Sequence, residues 1–96
     1  MPILFCSLDL YLPYCHSLKE KRKVVKSTGD KLRNKFKCSV SELEHQELWQ
    51  RSRLGIAAIA SDRQILDQMS EKIRRESEML LGGDLLGFSD QIIELD

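Results

Sequence analysis

Between Leu4 and Leu12 every second residue is a leucine or a cysteine. Leu4, Cys6, Leu8, Leu10 and Leu12 fall on one side, and Ile3, Phe5, Ser7, Asp9 and Tyr11 on the other. A period of two sustained this long specifies a β-strand with one buried face, here residues 3–12. Pro13 ends it, because proline has no N–H to give to a ladder. The period then changes. Ser17 stands before Leu18 with Glu20 three residues on, the pairing that closes a helix N-terminus as a capping box. Leu18, Val24, Val25, Thr28, Leu32 and Phe36 gather within an arc of about 120° on a helical projection, so the helix is predicted to run to about Lys37. Gly29 lies at the edge of that arc and costs about 1 kcal/mol relative to alanine. A close approach to the sheet is the expected reason for it.

Alternation resumes at Cys38 and Val40 and breaks at Leu43. This predicts a second strand over 38–44 with a bulge near Glu42 that restores the apolar face. A polar stretch, Glu44 to Gln50, leads to a third strand over 51–60, where Leu54, Ile56, Ala58 and Ala60 alternate with Arg53, Gly55, Ala57 and Ile59. Ser61 or Asp62 caps a second helix with Ile65, Leu66, Met69, Ile73 and Leu80 as its stripe, and Gly82-Gly83 stops it. A last strand falls within 85–95, interrupted near Gly87–Asp90. The order β-α-β-β-α-β defines a ferredoxin-like α+β fold. Four antiparallel strands in the order 4-1-3-2 carry both helices on one face, with Leu8, Leu32, Ile56 and Ile73 in one core. The 96 residues suffice for a single domain, 1–96.

The segment His16-Ser17-Leu18-Lys19-Glu20-Lys21-Arg22, together with Glu44-His45-Gln46, Leu48-Trp49-Gln50-Arg51 and Leu54-Gly55, resembles the YlxP-like family of small uncharacterised bacterial proteins. The resemblance runs over nearly the whole chain and departs mostly toward the C-terminus. It implies a ferredoxin-like fold with no established activity. The family's genes often sit among those for transcription elongation, translation initiation and ribosome-binding factors, which implies a role near ribosome assembly or translation.

Composition narrows the function classes. With 42% apolar and 31% charged residues the chain has enough apolar surface to escape disorder. No apolar run approaches the roughly 20 residues of a membrane helix, and the first ten residues lack the basic start of a signal peptide. Cys6, Cys15 and Cys38 are an odd set without C-x-x-C spacing, which fits reduced thiols and a cytoplasmic location rather than disulfides or zinc. Net charge is zero but strongly segregated. Residues 17–37 carry +7, from nine basic residues against Glu20 and Asp30, and residues 38–96 carry −6. On the helix projection Lys19, Arg22, Lys23, Lys26, Arg33 and Lys37 share about 100°, with Asp30 the one acid among them. Such a stripe attracts a phosphate backbone through counterion release. It also fits a solvated helix face beside the acidic second helix; a membrane-surface role is disfavoured because the helix's apolar side is needed for the core.

Two further surfaces stand out. The open sheet face offers Ile3, Phe5 and Tyr11 from the first strand and Gly55, Ala57 and Ile59 from the third, but the third strand supplies no aromatic for base stacking of the RNA-recognition kind. An apolar patch of this sort suits a protein contact, most simply self-association. The second surface is the cluster of Glu44, His45, Gln46, Trp49 and Gln50. His16 and His45, in loops that follow strands about 10 Å apart, do not make a zinc set, and no nucleophile or phosphate loop accompanies them. This cluster reads as a hairpin folded onto the sheet or as a partner-binding site, His45, Gln46, Trp49 and Gln50, with Trp49 as anchor. The leading expectation is a non-enzymatic factor without cofactor or metal that contacts RNA, possible ribosomal particles included, through the basic stripe. The alternative is a homodimerising interaction module that uses the sheet face and Trp49.

Overall fold

A computed structural model describes residues 1–95. The strands are β1 (Pro2–Tyr11), β2 (Ser39–Glu44), β3 (Arg51–Ile59) and β4 (Leu85–Glu94). The helices are α1 (Leu18–Phe36) and α2 (Arg63–Leu81), the latter followed by one 3-10 turn at Gly82–Asp84. All pairings are antiparallel, in the order β2-β3-β1-β4. This is the expected ferredoxin-like topology, with β1 and β3 in the centre. Leu4, Cys6, Leu8 and Leu10 of β1 are fully buried, as are Leu54 and Ile56 of β3, Leu32 of α1, and Leu66 and Ile73 of α2. Leu12 has left the ladder but stays buried, its N–H donating to Gln50 O at 2.8 Å.

The helix ends follow local chemistry. Ser17 Oγ accepts from Glu20 N at 3.1 Å. The Glu20 carboxylate closes the box on His16 N–H at 3.0 Å rather than on Ser17's own. At the other end Lys37 turns left-handed, with φ of 50°, and ends the helix after Phe36. Asp62, not Ser61, caps α2 through Gln64 N at 2.9 Å.

Four expectations change. Gly29 does not meet the sheet. A Cβ built there would lie 3.1 Å from the Arg33 guanidinium, so the missing side chain makes room for Arg33 to reach Val40 O at 2.8 Å. The β2 bulge exists but lies at Leu43, between Glu42 and Glu44, and it does not bring Leu43 to the core. Leu43 instead covers Gly55 on the open face, where an added Cβ would come within 2.6 Å of Leu43 Cδ1. Glu42 precedes the bulge and shares the inward side with Val40 by simple alternation. In α2, Ile65 is exposed, and Ser70 and Ser77 are buried between Leu66, Ile73 and Leu81. Ser70 Oγ donates to Asp90 Oδ2 at 2.6 Å, a contact that periodicity of apolar residues cannot reveal. Finally, β4 is unbroken through Gly87–Asp90; its irregularity is one residue earlier, where Leu86 is extra between Leu85 and Gly87.

Leu8, Leu32, Ile56 and Ile73 are each fully buried in one cluster. Each alanine substitution at these four positions is expected to cost about 2–5 kcal/mol, read as a lowered urea midpoint. Near-neutral midpoints for all four would place the core elsewhere.

Candidate functional site

The centre of the loop end of the domain is an ammonium group. Lys21 points inward from the second turn of α1 and is completely buried. Its Nζ donates to Glu42 Oε2 at 3.0 Å, His45 O at 2.7 Å and Gln46 O at 3.1 Å, with Arg51 O further out at 3.4 Å. An ammonium has three protons, and the three short contacts use them all. Glu42, itself mostly buried, also accepts from Ser52 Oγ at 2.7 Å. A buried charge is tolerated only when paired and hydrogen-bonded, and both conditions are met. The two segments carrying the family resemblance, 16–22 and 44–51, are thus joined by one side chain.

This node fixes the β2–β3 connection. His45 is left-handed, with φ of 67°, a conformation costing roughly 1–2 kcal/mol outside glycine, and its carbonyl takes the shortest Lys21 bond. Gln50 Nε2 donates to Pro13 O at 3.0 Å and to Cys15 O at 3.3 Å, tying the connection to the β1–α1 loop. Gln46 Nε2 reaches back to Glu42 O at 3.4 Å. His45, Gln46 and Gln50 therefore serve the loop itself. What the loop presents outward is Leu48 and Trp49, 49% and 52% exposed. Trp49 does not fold onto the sheet. With His16, Glu47, Gln50 and Arg51 these two line an open hollow of about 490 Å³.

The basic face of α1 divides into engaged and unengaged cations. Asp30 accepts from Lys26 Nζ at 2.8 Å and from Arg33 Nη1 at 2.9 Å, and the two guanidinium and ammonium neighbours hold its carboxyl below the usual range. Arg33 is further committed to Val40 O on the sheet edge, and Lys35 pairs with Glu76 of α2 at 2.6 Å. Lys19, Arg22, Lys23, Lys31 and Lys37 are exposed and have no ion-pair partner among the described residues. Lys37, as the helix cap, sits at the far end from Lys19. Lys23, Lys26 and Lys31 border one shallow depression that also contains Asp30.

The open sheet face is apolar at one end and charged at the other. Ile59, Ile3 and Ile93 form a row across three strands, with Ile59 68% exposed. At the opposite end Arg53 holds Asp9 through two bonds, 2.9 and 3.1 Å, and lies 3.4 Å from Glu44. The Arg53 hydrogen bonds lower the Asp9 pKa. Its stabilisation is accordingly complete above the unfolded value of about 3.9 and is lost as pH falls through the lower folded value. Trp49 lies beyond this charged end, about eight strand residues or ~26 Å from the isoleucine row, so the apolar row and the tryptophan are separate surfaces.

Burial raises the thiol of Cys6 to about 11, and also raises Cys15 and Cys38, which leaves them protonated and poorly nucleophilic at neutral pH. No group of three or more metal-ligating side chains is assembled among the described residues, and no described helix is long and apolar enough to cross a membrane.

Comparison with known proteins agrees with the motifs. The family pattern described as Protein of unknown function (DUF503) matches residues 3–86. The chain is 51% identical over 47 residues to Uncharacterized protein YlxP of Bacillus subtilis (strain 168); the match covers 49% of this chain and about half, 51%, of that relative. Among solved structures it is similar to a putative antibiotic biosynthesis monooxygenase from Bordetella bronchiseptica, with a TM-score of 0.56, 13% identity, and 100% and 99% of the two chains covered. It is also similar to Rv0793 from Mycobacterium tuberculosis, with a TM-score of 0.55, 15% identity, and 100% and 97% covered. At such identities the likeness concerns the fold, which by itself does not carry an activity.

Removing Lys21 strands Glu42 and two loop carbonyls. Lys21→Met is expected to cost about 3–5 kcal/mol, the range for breaking a buried pair from one side. Adding Glu42→Gln should recover part of that loss. Urea melts of the two single variants and the double variant measure the coupling, and strict additivity would contradict the node.

Proposed function

We propose that this chain, which belongs to the DUF503 family of YlxP-like proteins, is a non-enzymatic cytoplasmic factor that contacts RNA through the exposed basic face of α1. The observation that carries this reading is the set of unpaired cations on α1: Lys19, Arg22 and Lys23 in its first two turns, then Lys31 and Lys37. Folding alone gives no reason to collect them. Like charges three or four residues apart destabilise a helix by a few tenths of a kcal/mol per pair, and the acids of α2 are near enough to engage Lys35 through Glu76 yet leave the others unmatched. A phosphate backbone matches them without requiring base recognition. Lys26 and Arg33, which the helix projection groups with the stripe, contribute less here because Asp30 neutralises one charge between them. The gene neighbourhood implied by the family resemblance supports ribosomal RNA or a ribosomal particle as the partner.

The isoleucine row favours a second reading, self-association of two chains through the open sheet face. Ile59, at 68% exposure beside Ile3 and Ile93, is difficult to account for in a monomer. The two surfaces lie on different faces, so a homodimer that binds RNA is consistent with both.

If three phosphates are engaged, log affinity for single-stranded RNA should fall with log salt at a slope near −2, about −0.7 per contact. A Lys19→Ala, Arg22→Ala, Lys23→Ala variant should abolish most of that slope, whereas Lys26→Ala should change it little. The measurement is a titration at several salt concentrations. Absence of binding at low salt, or an unchanged slope in the triple variant, would overturn the basic-face reading and leave the self-association reading in front.

A further inference from the structure

Trp49 is exposed on a loop that is otherwise held unusually firmly, and neither the fold nor the basic face uses it. The Lys21 ammonium takes the carbonyls of His45 and Gln46 on one side of it, and Gln50 binds Pro13 O and Cys15 O on the other. The indole is therefore presented in a fixed frame, in a hollow it shares with His16 and Arg51. Arg51 has no ion-pair partner among the described residues, and its Nε is buried without a hydrogen-bond partner there. His16 directly precedes Ser17, the cap of α1. At 1.5 Å per residue, Lys19 and Arg22 follow it within about 9 Å along the chain axis. An aromatic face, a guanidinium and the start of a cationic stripe thus lie at one end of the domain.

We infer that Trp49 is a stacking platform for an unpaired base of the same single-stranded RNA whose backbone the first turns of α1 contact. This rests on the basic-face reading and adds to it the place where a base, rather than a phosphate, is held. Every base has a π-face, so stacking of this kind is tolerant of sequence. Leu48 extends the apolar floor beside the ring. Arg51 meets the phosphate or edge of the stacked nucleotide; Glu47 is the one acid among the residues that line the hollow. A protein segment is the competing occupant of a tryptophan hollow. The neighbouring cations favour the nucleic acid, because an apolar partner has no use for them.

Trp49 is the sole tryptophan of the chain, so its emission reports on this site directly. Two probes separate stacking from charge: oligouridylate RNA, and inorganic polyphosphate, which has the charge and no bases. RNA is expected to quench Trp49 emission, and polyphosphate to bind without quenching. Trp49→Ala should weaken RNA binding roughly 5- to 150-fold, the range for loss of one stacked base, while polyphosphate affinity stays within about twofold. Trp49→Phe should restore most of the RNA affinity. Half-exposed Trp49 is not needed for folding, so the urea midpoints of both variants should match that of the parent chain. If RNA binds with the expected salt slope but Trp49 emission does not change, the platform is overturned and the basic-face reading stands. If neither probe binds at low salt, both fall. A shift of Trp49 emission with protein concentration alone, absent with RNA, overturns the platform in favour of a protein contact.

Discussion

One buried ammonium organises the loop end of this domain. Lys21 is the only lysine of α1 that points inward to complete burial, and it holds a helix, an edge strand and a connecting loop in fixed relation. Taking such a charge out of water costs several kcal/mol before any partner is found. The cost is met by one carboxylate and two loop carbonyls, all within 3.1 Å. A leucine at this position would pack adequately against the sheet, but it would leave the 45–46 backbone without a donor. The gain from lysine is therefore conformational: it specifies where the loop goes, including the left-handed turn at His45.

The same residue explains what could and could not be seen in the sequence. Period and caps were enough to place six elements and their topology, because Leu4 to Leu12 and the Ser17–Glu20 box each encode their structure within a few residues. Lys21 enters the sequence reading only as one of the nine basic residues of 17–37, outside the stripe and without a structural role, because lysine is almost never fully buried unless paired and its partner Glu42 is 21 positions away. A signal was present nonetheless. Lys21 lies three residues from Leu18 and from Val24 and four from Val25, which puts it inside the apolar arc rather than beside it. Likewise Gly29 and Arg33 are a pair whose meaning appears only when Val40 arrives at the sheet edge. The extra residue of the β2 bulge was expected to restore an apolar face. It does not: Leu43 stays outward over Gly55, and Glu42, which precedes the bulge, keeps the inward side in step with Val40. In each case the missing information was a contact between two different elements, to which hydrophobic periodicity is blind.

The candidate surfaces were legible to a similar degree. Charge segregation was readable as arithmetic, but not the way Asp30 and Glu76 spend part of it. Lys26 and Arg33 look equivalent to Lys19 and Arg22 on a helix projection. In the folded chain the first pair shares an acid and Arg33 braces the sheet edge, whereas the second pair has no ion-pair partner among the described residues. Trp49 was visible as an outlier in a polar stretch. Its outward orientation depends on Gln50 bonding backward to the β1–α1 loop, a contact across 37 residues in sequence.

These pieces are mechanically connected through α1. The turn that sends Lys21 inward sends Arg22 and Lys23 outward, so the cations and the loop held by Lys21 share one rigid element. Ordering a mobile side chain on binding costs about 0.5–1.5 kcal/mol, and ordering a loop costs more. Here the loop is already ordered in the free chain by contacts that no ligand needs to supply. Lys21, together with the Gln50 contacts to Pro13 O and Cys15 O, fixes where that loop stands relative to the outer face of the helix.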